Sequence, residues 1–298
     1  MKLYKYVSPE RVDILERQLI RFSQPAAFND PFEMKPHIEA IASPEYIDAK
    51  SDNEHEQHIQ KAYNSKPLSF RRKVSFDKCK KDFDKDALRE KLKQESVGGA
   101  LDQVRESLSI AINSAVGILS LTETPDNLLM WAHYAKSHTG MVLEFETDHK
   151  FFNQEFPKDK TKACSPTGFD EDLRRDYGHL TKVKYSQERP KITISDVKSF
   201  ELFLIKGCEW KYEYEWRMLM PLSFANETIQ GDGISLPTHL FHAPSSAITK
   251  VILGERATDE LETKIKNILG AGDSTKHIAL ERMELDPIAF KLNAVSLC

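Results

Sequence analysis

Short strand-like and helical segments follow one another irregularly along this chain, and this order limits the folds it can adopt. Residues 3–7 and 117–121 are rich in aromatic, β-branched or aliphatic side chains, which favour strands. Residues 259–269 carry apolar side chains at helical spacing. A regular strand–helix repeat, typical of a parallel sheet with helices on both faces, is not present in the sequence. The sequence therefore predicts an α+β fold.

Other local patterns predict the remaining elements. Amphipathic or capped segments predict helices over residues 128–136 and 195–209. Apolar stretches predict strands over residues 141–145, 216–220 and 250–253, and a terminal hairpin over residues 278–292.

Residues 41–110 differ in composition from the rest of the chain. They are rich in Lys, Asp, Glu, Ser and Gln and contain few large aliphatic residues before position 101. Such a composition favours solvated helices over a buried core. We therefore predict one domain over residues 1–298, with a charged helical insertion at 41–110. Residues 41–94 of this insertion offer a docking surface for a partner protein.

Composition excludes several classes of protein. The net charge is −4, so no broad basic surface indicates nucleic-acid binding. The four cysteines are scattered without a C-x-x-C pair, which argues against a zinc ribbon or a disulfide framework. There is no apolar run long enough to cross a membrane, and no signal-peptide pattern. These features predict a cytoplasmic protein that does not associate with membranes.

Residues 210–217, with the sequence W-K-Y-E-Y-E-W-R, carry the sharpest chemical pattern. On an extended chain, residues two apart share a face, so Glu213 and Glu215 would stand side by side with Arg217 beyond them. Adjacent carboxylates repel, and proteins keep such pairs mainly where a cation, a metal or catalysis uses them. The alternative is an edge strand with its polar residues outward and Tyr212, Tyr214 and Trp216 inward.

Two further segments contain candidate site residues. On the helix at 128–136, His133 is a candidate acid–base group beside Tyr134, although a buried histidine with a purely structural role is the commoner outcome. In the loop at 21–33, Ser23, Asn29 and Asp30 are candidates to hold a ring and its hydroxyls. Asn29 and Asp30 could instead only stabilise the loop through backbone amides.

Sequence motifs of several large enzyme classes are missing. The chain contains no G-x-x-x-x-G-K-[ST], G-x-G-x-x-G, G-x-S-x-G or H-E-x-x-H. This excludes phosphate-loop ATPases, Rossmann dehydrogenases, α/β-hydrolases and zincin proteases.

Taken together, these blocks resemble a widespread bacterial family of unknown function. Its pattern runs Y-K-Y, then R-F-S-x-P-x-x-F-N-D-P-F-E, then M-W-A-H-Y-A-x-x-H-x-G, then W-x-Y-E-x-E-W-R and finally V-I-L-G. In this chain the blocks lie at residues 4–6, 21–33, 130–140, 210–217 and 251–254.

The order of the blocks also resembles ADP-ribosyltransferases, including bacterial toxins that modify nucleic acids. The resemblance implies a mixed or antiparallel split sheet, NAD as the substrate and no metal. It implies that Glu215 is the catalytic acid, that Glu213 orients the acceptor and that Tyr134 stacks on the nicotinamide, with Trp131 as a second candidate ring. The remaining residues that the resemblance assigns to NAD binding are Tyr4, Lys5, Tyr6, Arg21, Ser23, Asn29, Asp30, His133 and Arg217.

This resemblance implies a toxin or phage-defence effector that transfers ADP-ribose to nucleic acid (RNA or DNA) or to protein, with an antitoxin or chaperone as a further partner. Two other functions fit the same residues. One is a metal-dependent hydrolase that uses Glu213, Glu215, Asp30 and His133. The other is a non-catalytic binding module in which these polar residues only stabilise loops.

Overall fold

The computed structural model describes residues 1–81, 85–98, 101–155, 177–197, 200–232 and 235–297. The chain forms two compact units. The first unit contains Met1–Lys35, Ala111–Arg189 and Lys198–Cys298, and the second contains Pro36–Ile110 and Pro190–Val197.

The described strands and helices follow the irregular order expected from the sequence. The strands are β1 (Lys2–Val7), β2 (Leu19–Phe22), β3 (His37–Ala40), β4 (Val116–Thr122), β5 (Met141–Glu146), β6 (Leu180–Lys182), β7 (Lys184–Ser186), β8 (Lys191–Thr193), β9 (Ile205–Gly207), β10 (Glu215–Pro221), β11 (Glu227–Ile229), β12 (Thr238–His242), β13 (Ile248–Leu253), β14 (Ala279–Leu285) and β15 (Leu292–Ser296). The helices are α1 (Asp13–Arg17), α2 (Pro44–Asn64), α3 (Leu68–Arg71), α4 (Phe76–Lys81), α5 (Lys85–Ser96), α6 (Leu101–Ala115), α7 (Leu128–Tyr134) and α8 (Asp259–Ala271).

A large mixed sheet organises the first unit. Its strand order is β15-β14-β13-β5-β1-β4-β10-β6, and β13 and β14 are the parallel neighbours. The other neighbouring strands are antiparallel. A smaller sheet, β11-β12-β2, and the pair β7-β9 complete the unit. The predicted α+β class is confirmed, as are the predicted strands at β1, β4, β5, β10 and β13 and the terminal hairpin β14–β15.

Burial of apolar faces explains why these elements form. β4 and β5 are buried along nearly their whole length. On α8, Leu261, Ile265 and Leu269 recur at helical spacing and enter the core, and Thr258 caps the first turn through the amide of Leu261. Each such side chain contributes about 2 kcal/mol of hydrophobic stabilisation.

The register of three central strands determines which residues meet. β4 lies between β1 and β10, and Thr122 is the partner of both Tyr4 and Glu215. Thr122 of β4 therefore lies between Tyr4, near the beginning of the chain, and Glu215, more than two hundred positions later.

The predicted helix at 195–209 is wrong. The described part of this segment forms short 3-10 turns at Ile194–Asp196 and Phe200–Leu204, then β9, and then a 3-10 helix at Cys208–Glu213. The extended path is favoured because β9 pairs with β7 and because Lys206 is then buried among carboxylates. In a helix over this segment, Lys206 would lie on the polar face, in water.

The second unit contains α2 to α5, the first part of α6 and the pair β3–β8. Ser43 caps α2 by accepting from the amide of Tyr46, and its hydroxyl donates to Asp196 at 2.8 Å. Ile47 and Ile59 of α2 are buried. Helices α2 to α5 fall within the residues predicted to form a charged helical insertion. Across the described residues, none of the helices combines the length and the apolar character needed to cross a membrane.

Candidate functional site

A cavity of about 320 Å³ lies in the first unit, beside the shared register of β1, β4 and β10. Most of the residues predicted to form a site line it, namely Tyr4, Lys5, Tyr6, Ser23, Asn29, His133, Tyr134, Glu213 and Glu215. The fold thus brings together side chains from four of the five sequence blocks, those at residues 4–6, 21–33, 130–140 and 210–217.

Glu213 and Glu215 reach the cavity by a path that differs from a simple strand. Glu213 ends a 3-10 helix, Tyr214 takes a left-handed conformation with φ 44° and ψ 50°, and Glu215 opens β10. Both carboxylates are 3% exposed, whereas Tyr214 is 43% exposed. The alternative arrangement, with the aromatic residues inward and the polar residues outward, is therefore wrong at these positions.

Lys206 connects the two carboxylates. Its Nζ donates to Glu213 Oε2 at 2.6 Å and to Glu215 Oε2 at 3.1 Å. The ammonium also lies 4.9 Å from the centre of the Trp210 ring. This buried cation explains how two adjacent acidic side chains share a buried position. Sequence reasoning missed it because a helix over residues 195–209 would place Lys206 on a solvated face.

Arg217 holds Glu215 from the other side. Its Nε donates to Glu215 Oε1 and its Nη2 to Glu215 Oε2, both at 2.9 Å, so the pair is bidentate. Nη1 donates to the carbonyl of Phe203 at 2.6 Å, and Nη2 also contacts Glu33 Oε1. Arg217 is fully buried and does not line the cavity. This position indicates that Arg217 orients Glu215. A fully buried side chain outside the cavity wall does not fit the predicted direct contact of Arg217 with NAD.

The charges of this buried cluster perturb one another. Burial raises the pKa of Glu215 above its ordinary value, and Lys206 offsets part of that rise. Burial alone would lower the pKa of Lys206, but Glu215 and Glu213 more than compensate, so its pKa is raised and it stays charged. Two cations, Lys206 and Arg217, therefore stand among Glu33, Glu213 and Glu215.

Lys5 is a cation available inside the cavity. Its Nζ donates to the backbone oxygen of Ser120 at 2.9 Å. Burial lowers the pKa of Lys5 to about 8, although the charge of Glu215 acts in the opposite direction. A partly desolvated ammonium that bonds a neutral carbonyl is suited to binding an anion.

A chain of hydrogen bonds connects the loop at 21–33 to the carboxylates. Asn29 Nδ2 donates to the Tyr134 hydroxyl at 3.1 Å, and that hydroxyl donates to Glu213 Oε1 at 2.6 Å. Burial and the charge of Glu213 raise the pKa of Tyr134, so the phenol remains a donor. Tyr134 is thereby held with its oxygen directed at Glu213.

Other aromatic residues near the cavity have structural partners. Trp131 is fully buried and donates from Nε1 to the carbonyl of Pro125 at 2.8 Å. Its indole is therefore not available to stack on a ligand, which corrects its assignment as a second candidate ring. Tyr6 packs edge-on against Trp131 and donates to the carbonyl of Thr124. His133, in contrast, is exposed at the cavity wall.

Arg21 and Asp30 do not line the cavity. Asp30 is buried, and its Oδ1 accepts from the amide of Phe32 at 2.9 Å, so it stabilises the loop as in the alternative considered from the sequence. Arg21 lies half-buried on β2, outside the residues that form the cavity wall.

Asn127 connects α7 to the segment that precedes Glu213. Its Oδ1 accepts from the amides of Leu129 and Met130, and its Nδ2 donates to the carbonyl of Tyr212 at 3.0 Å.

We predict that Asn127→Ala lowers the free energy of unfolding by about 1–2 kcal/mol, as the loss of a helix cap does. Urea denaturation checks this, with Asn267→Ala on the exposed face of α8 as the control, expected to change stability by less than about 0.5 kcal/mol.

Residues 130–218 match the model of a family described as Protein of unknown function (DUF2971). The matched range contains most of α7, together with Lys206, Glu213 and β10 up to Met218. It supports the resemblance to a family of unknown function over this part of the chain. No curated protein and no solved structure gives a significant match to the chain.

Proposed function

We propose that the protein is an NAD-dependent ADP-ribosyltransferase and that the cavity lined by Lys5, Tyr134, Glu213 and Glu215 binds NAD. The observation that carries this proposal is the convergence of two lysines, three tyrosines and two carboxylates on a single cavity, with Lys5 as the cation that is not bonded to a carboxylate. Its volume of about 320 Å³ suits the nicotinamide riboside half of a dinucleotide.

The carboxylates would stabilise the reacting ribose. Breaking the bond between C1′ and the nicotinamide nitrogen builds positive charge on the ribose, as in glycoside hydrolysis. Glu215, fixed by Arg217, would accept a hydrogen bond from a ribose hydroxyl and stabilise that charge. The acceptor then forms a bond to C1′, nicotinamide leaves with the bonding electron pair, and the proton of the acceptor passes to Glu213 or to water.

Glu213 and Glu215 can still accept hydrogen bonds from a ligand. An ionised carboxylate offers about four lone-pair sites. Glu213 accepts from Tyr134 and Lys206, and Glu215 accepts two bonds from Arg217 and one from Lys206. Each therefore retains at least one site for a ligand hydroxyl.

Nicotinamide release tests the proposal. Purified protein is incubated with NAD, and free nicotinamide is measured by chromatography; turnover above a protein-free blank is expected. Transfer of label from NAD carrying a labelled adenine to purified RNA, DNA or protein fractions then identifies the acceptor. Absence of both release and transfer with all three fractions would contradict an ADP-ribosyltransferase.

The pKa of Lys5 predicts how NAD binding depends on pH. Below its pKa of about 8 the ammonium is charged and attracts the pyrophosphate, and above that pH it is neutral. NAD affinity should therefore fall as pH rises through 8, by up to about tenfold per pH unit. Binding measured by calorimetry from pH 7 to pH 9.5 checks this. Lys5→Met should bind weakly at pH 7 and show no such dependence, and an equally steep profile in that variant would contradict the assignment.

A non-catalytic binding module is the second candidate. It is favoured by the fact that each oxygen of Glu213 and Glu215 already accepts a bond within the protein. Saturable NAD binding without nicotinamide release would support this candidate. The metal-dependent hydrolase has less support, because no group of three or more metal-ligating side chains is arranged for a metal among the described residues.

A further inference from the structure

Residues 61–81, which belong to the second unit, carry a strong local charge. Eight of them are Lys or Arg and one, Asp77, is acidic, although the chain as a whole has a net charge of −4. The preceding residues 41–60 have the opposite character, with five acids and one lysine. Positive charge is therefore segregated into one segment of this unit.

Tyr63 holds this segment in a compact turn at the end of α2. Its hydroxyl lies within hydrogen-bonding distance of the carbonyls of Arg71 and Val74, at 3.2 Å and 2.8 Å. The Nε of Arg71 donates in turn to the carbonyl of Lys66 at 3.1 Å. These bonds connect α2 to α3 and to the residues before α4, so the basic side chains between them are held close together. We call residues 66–78 the basic turn.

The cations of the basic turn face solvent without acidic partners. Four of its basic side chains are exposed, namely Lys66, Arg72, Lys73 and Lys78. Within the described part of the chain, none of the four forms an ion pair. Lysines of α5 in the same unit differ, because Lys91 pairs with Glu95 at 3.7 Å and Lys93 with Glu90 at 3.6 Å. The unpaired charges of the basic turn are therefore accessible to an anionic ligand.

The small amount of exposed apolar surface indicates which kind of anion fits. Protein–protein interfaces have an apolar centre, and membranes hold a basic segment firmly when apolar side chains insert beside it. All residues of the basic turn are described, and Leu68 is its single large apolar side chain that is exposed. Backbone phosphates of nucleic acid, in contrast, bind through Lys and Arg alone. The basic turn therefore favours nucleic acid over the partner protein expected from the sequence for residues 41–94.

We propose that the basic turn binds the backbone phosphates of nucleic acid, single- or double-stranded, without reading its sequence. Arg72 offers paired N–H donors that match phosphate oxygens, and the lysines add point charges. Contacts to phosphates carry no sequence information. The inference goes beyond the proposed transferase and does not depend on it, because no residue of the basic turn lines the cavity.

Fluorescence anisotropy with labelled single-stranded and double-stranded oligonucleotides, in the absence of NAD, tests the proposal. The test variant combines Lys66→Gln, Arg72→Gln and Lys73→Gln, three exposed side chains outside the hydrogen bonds that hold the turn. At about 50 mM salt we expect its affinity to be lower by about tenfold or more. The slope of log K against log salt should be shallower by about 2 for single strands, at about 0.7 for each of the three phosphates no longer neutralised.

Two further variants separate local charge from net charge and from shape. The matched control combines Lys264→Gln, Lys266→Gln and Lys276→Gln, which changes the net charge equally but removes exposed lysines that have acidic partners. It should bind as the unaltered protein does. So should the charge-conserving variant that combines Lys66→Arg, Arg72→Lys and Lys73→Arg, because the proposal requires charge at these positions. Circular dichroism establishes that every variant is folded.

Failure of the unaltered protein to bind either oligonucleotide would overturn the proposal, as would equal affinities of the test variant and the matched control. Competition with polyglutamate and sedimentation with phosphatidylserine vesicles cover the other polyanions. Tighter binding of either one than of the oligonucleotides, lost in the test variant, would assign the basic turn to an acidic protein or to a membrane and likewise overturn it. Because NAD is absent throughout, a failed test of the transferase leaves these results unaffected.

Discussion

Glu215→Gln is expected to lower the rate of nicotinamide release by about a thousandfold, the loss typical of removing one preorganised electrostatic group from a transition state. The amide keeps the volume of the side chain but removes the negative charge that, in the proposed reaction, would stabilise the ribose cation. It also places N–H donors against Arg217 or Lys206, which are themselves donors. Nicotinamide release by the purified variant, measured over long incubations, checks the expected loss.

Two controls separate chemistry from folding. Circular dichroism and thermal unfolding establish that the variant is folded, and calorimetry establishes whether it still binds NAD. Glu213→Gln is the matched substitution, because Glu213 is equally buried and binds the same Lys206. We expect it to lower the rate less than Glu215→Gln does, since the role predicted for Glu213 is to orient the acceptor. A folded Glu215→Gln variant with ordinary turnover would contradict the catalytic assignment.

Local patterns are sufficient to predict most strands of the large sheet and helix α8. The apolar segments that form β1, β4 and β10 carry their own signal, because their apolar side chains enter the core. The cap and apolar stripe of α8 likewise predict that helix without tertiary information. What these patterns do not contain is the sheet register that places Tyr4 and Glu215 on either side of Thr122.

The charged cluster shows why the rest of the site could not be predicted. Residues 210–217 alternate aromatic and charged side chains, so the same sequence fits burial of either face. Hydrophobicity favours burying the aromatic face, yet Glu213, Glu215 and Arg217 are buried, because Lys206 and Arg217 supply compensating charge. Lys206 comes from a segment whose helical pattern is overridden by its pairing as β9 with β7. Only the tertiary structure shows that this cation lies beside Glu213 and Glu215.

Positive φ angles are a second reason why parts of the structure could not be predicted from the sequence. Tyr214 adopts φ 44°, and the turn after α7 has φ values of 47°, 55° and 70° at Lys136, Ser137 and His138. None of these residues is glycine, and the left-handed region costs an ordinary side chain about 1–2 kcal/mol. No local preference predicts such positions, which persist because the surrounding structure determines the backbone.

The bidentate pair of Arg217 and Glu215 gives the largest expected change in stability. Arg217→Met would leave Glu215 and Glu33 buried with only Lys206 to compensate their charge. Breaking a buried ion pair from one side typically costs about 3–5 kcal/mol. Guanidinium chloride denaturation followed by tryptophan fluorescence measures the loss. Arg17→Met, which removes the exposed partner of Glu227, should cost less than about 1 kcal/mol.

The pH dependence of that loss distinguishes a charge effect from a packing defect. Burial already raises the pKa of Glu215 in the folded protein above its unfolded value. Between those two values the folded state binds more protons, so stability falls as pH rises through this window. Removing the neighbouring guanidinium raises the folded pKa of Glu215 further and extends the window upward. The defect of Arg217→Met should therefore be smaller at pH 5 than at pH 7.5. A loss of the same size at both values would indicate that Arg217 stabilises the fold by packing, and that the orientation of Glu215 does not depend on its charge.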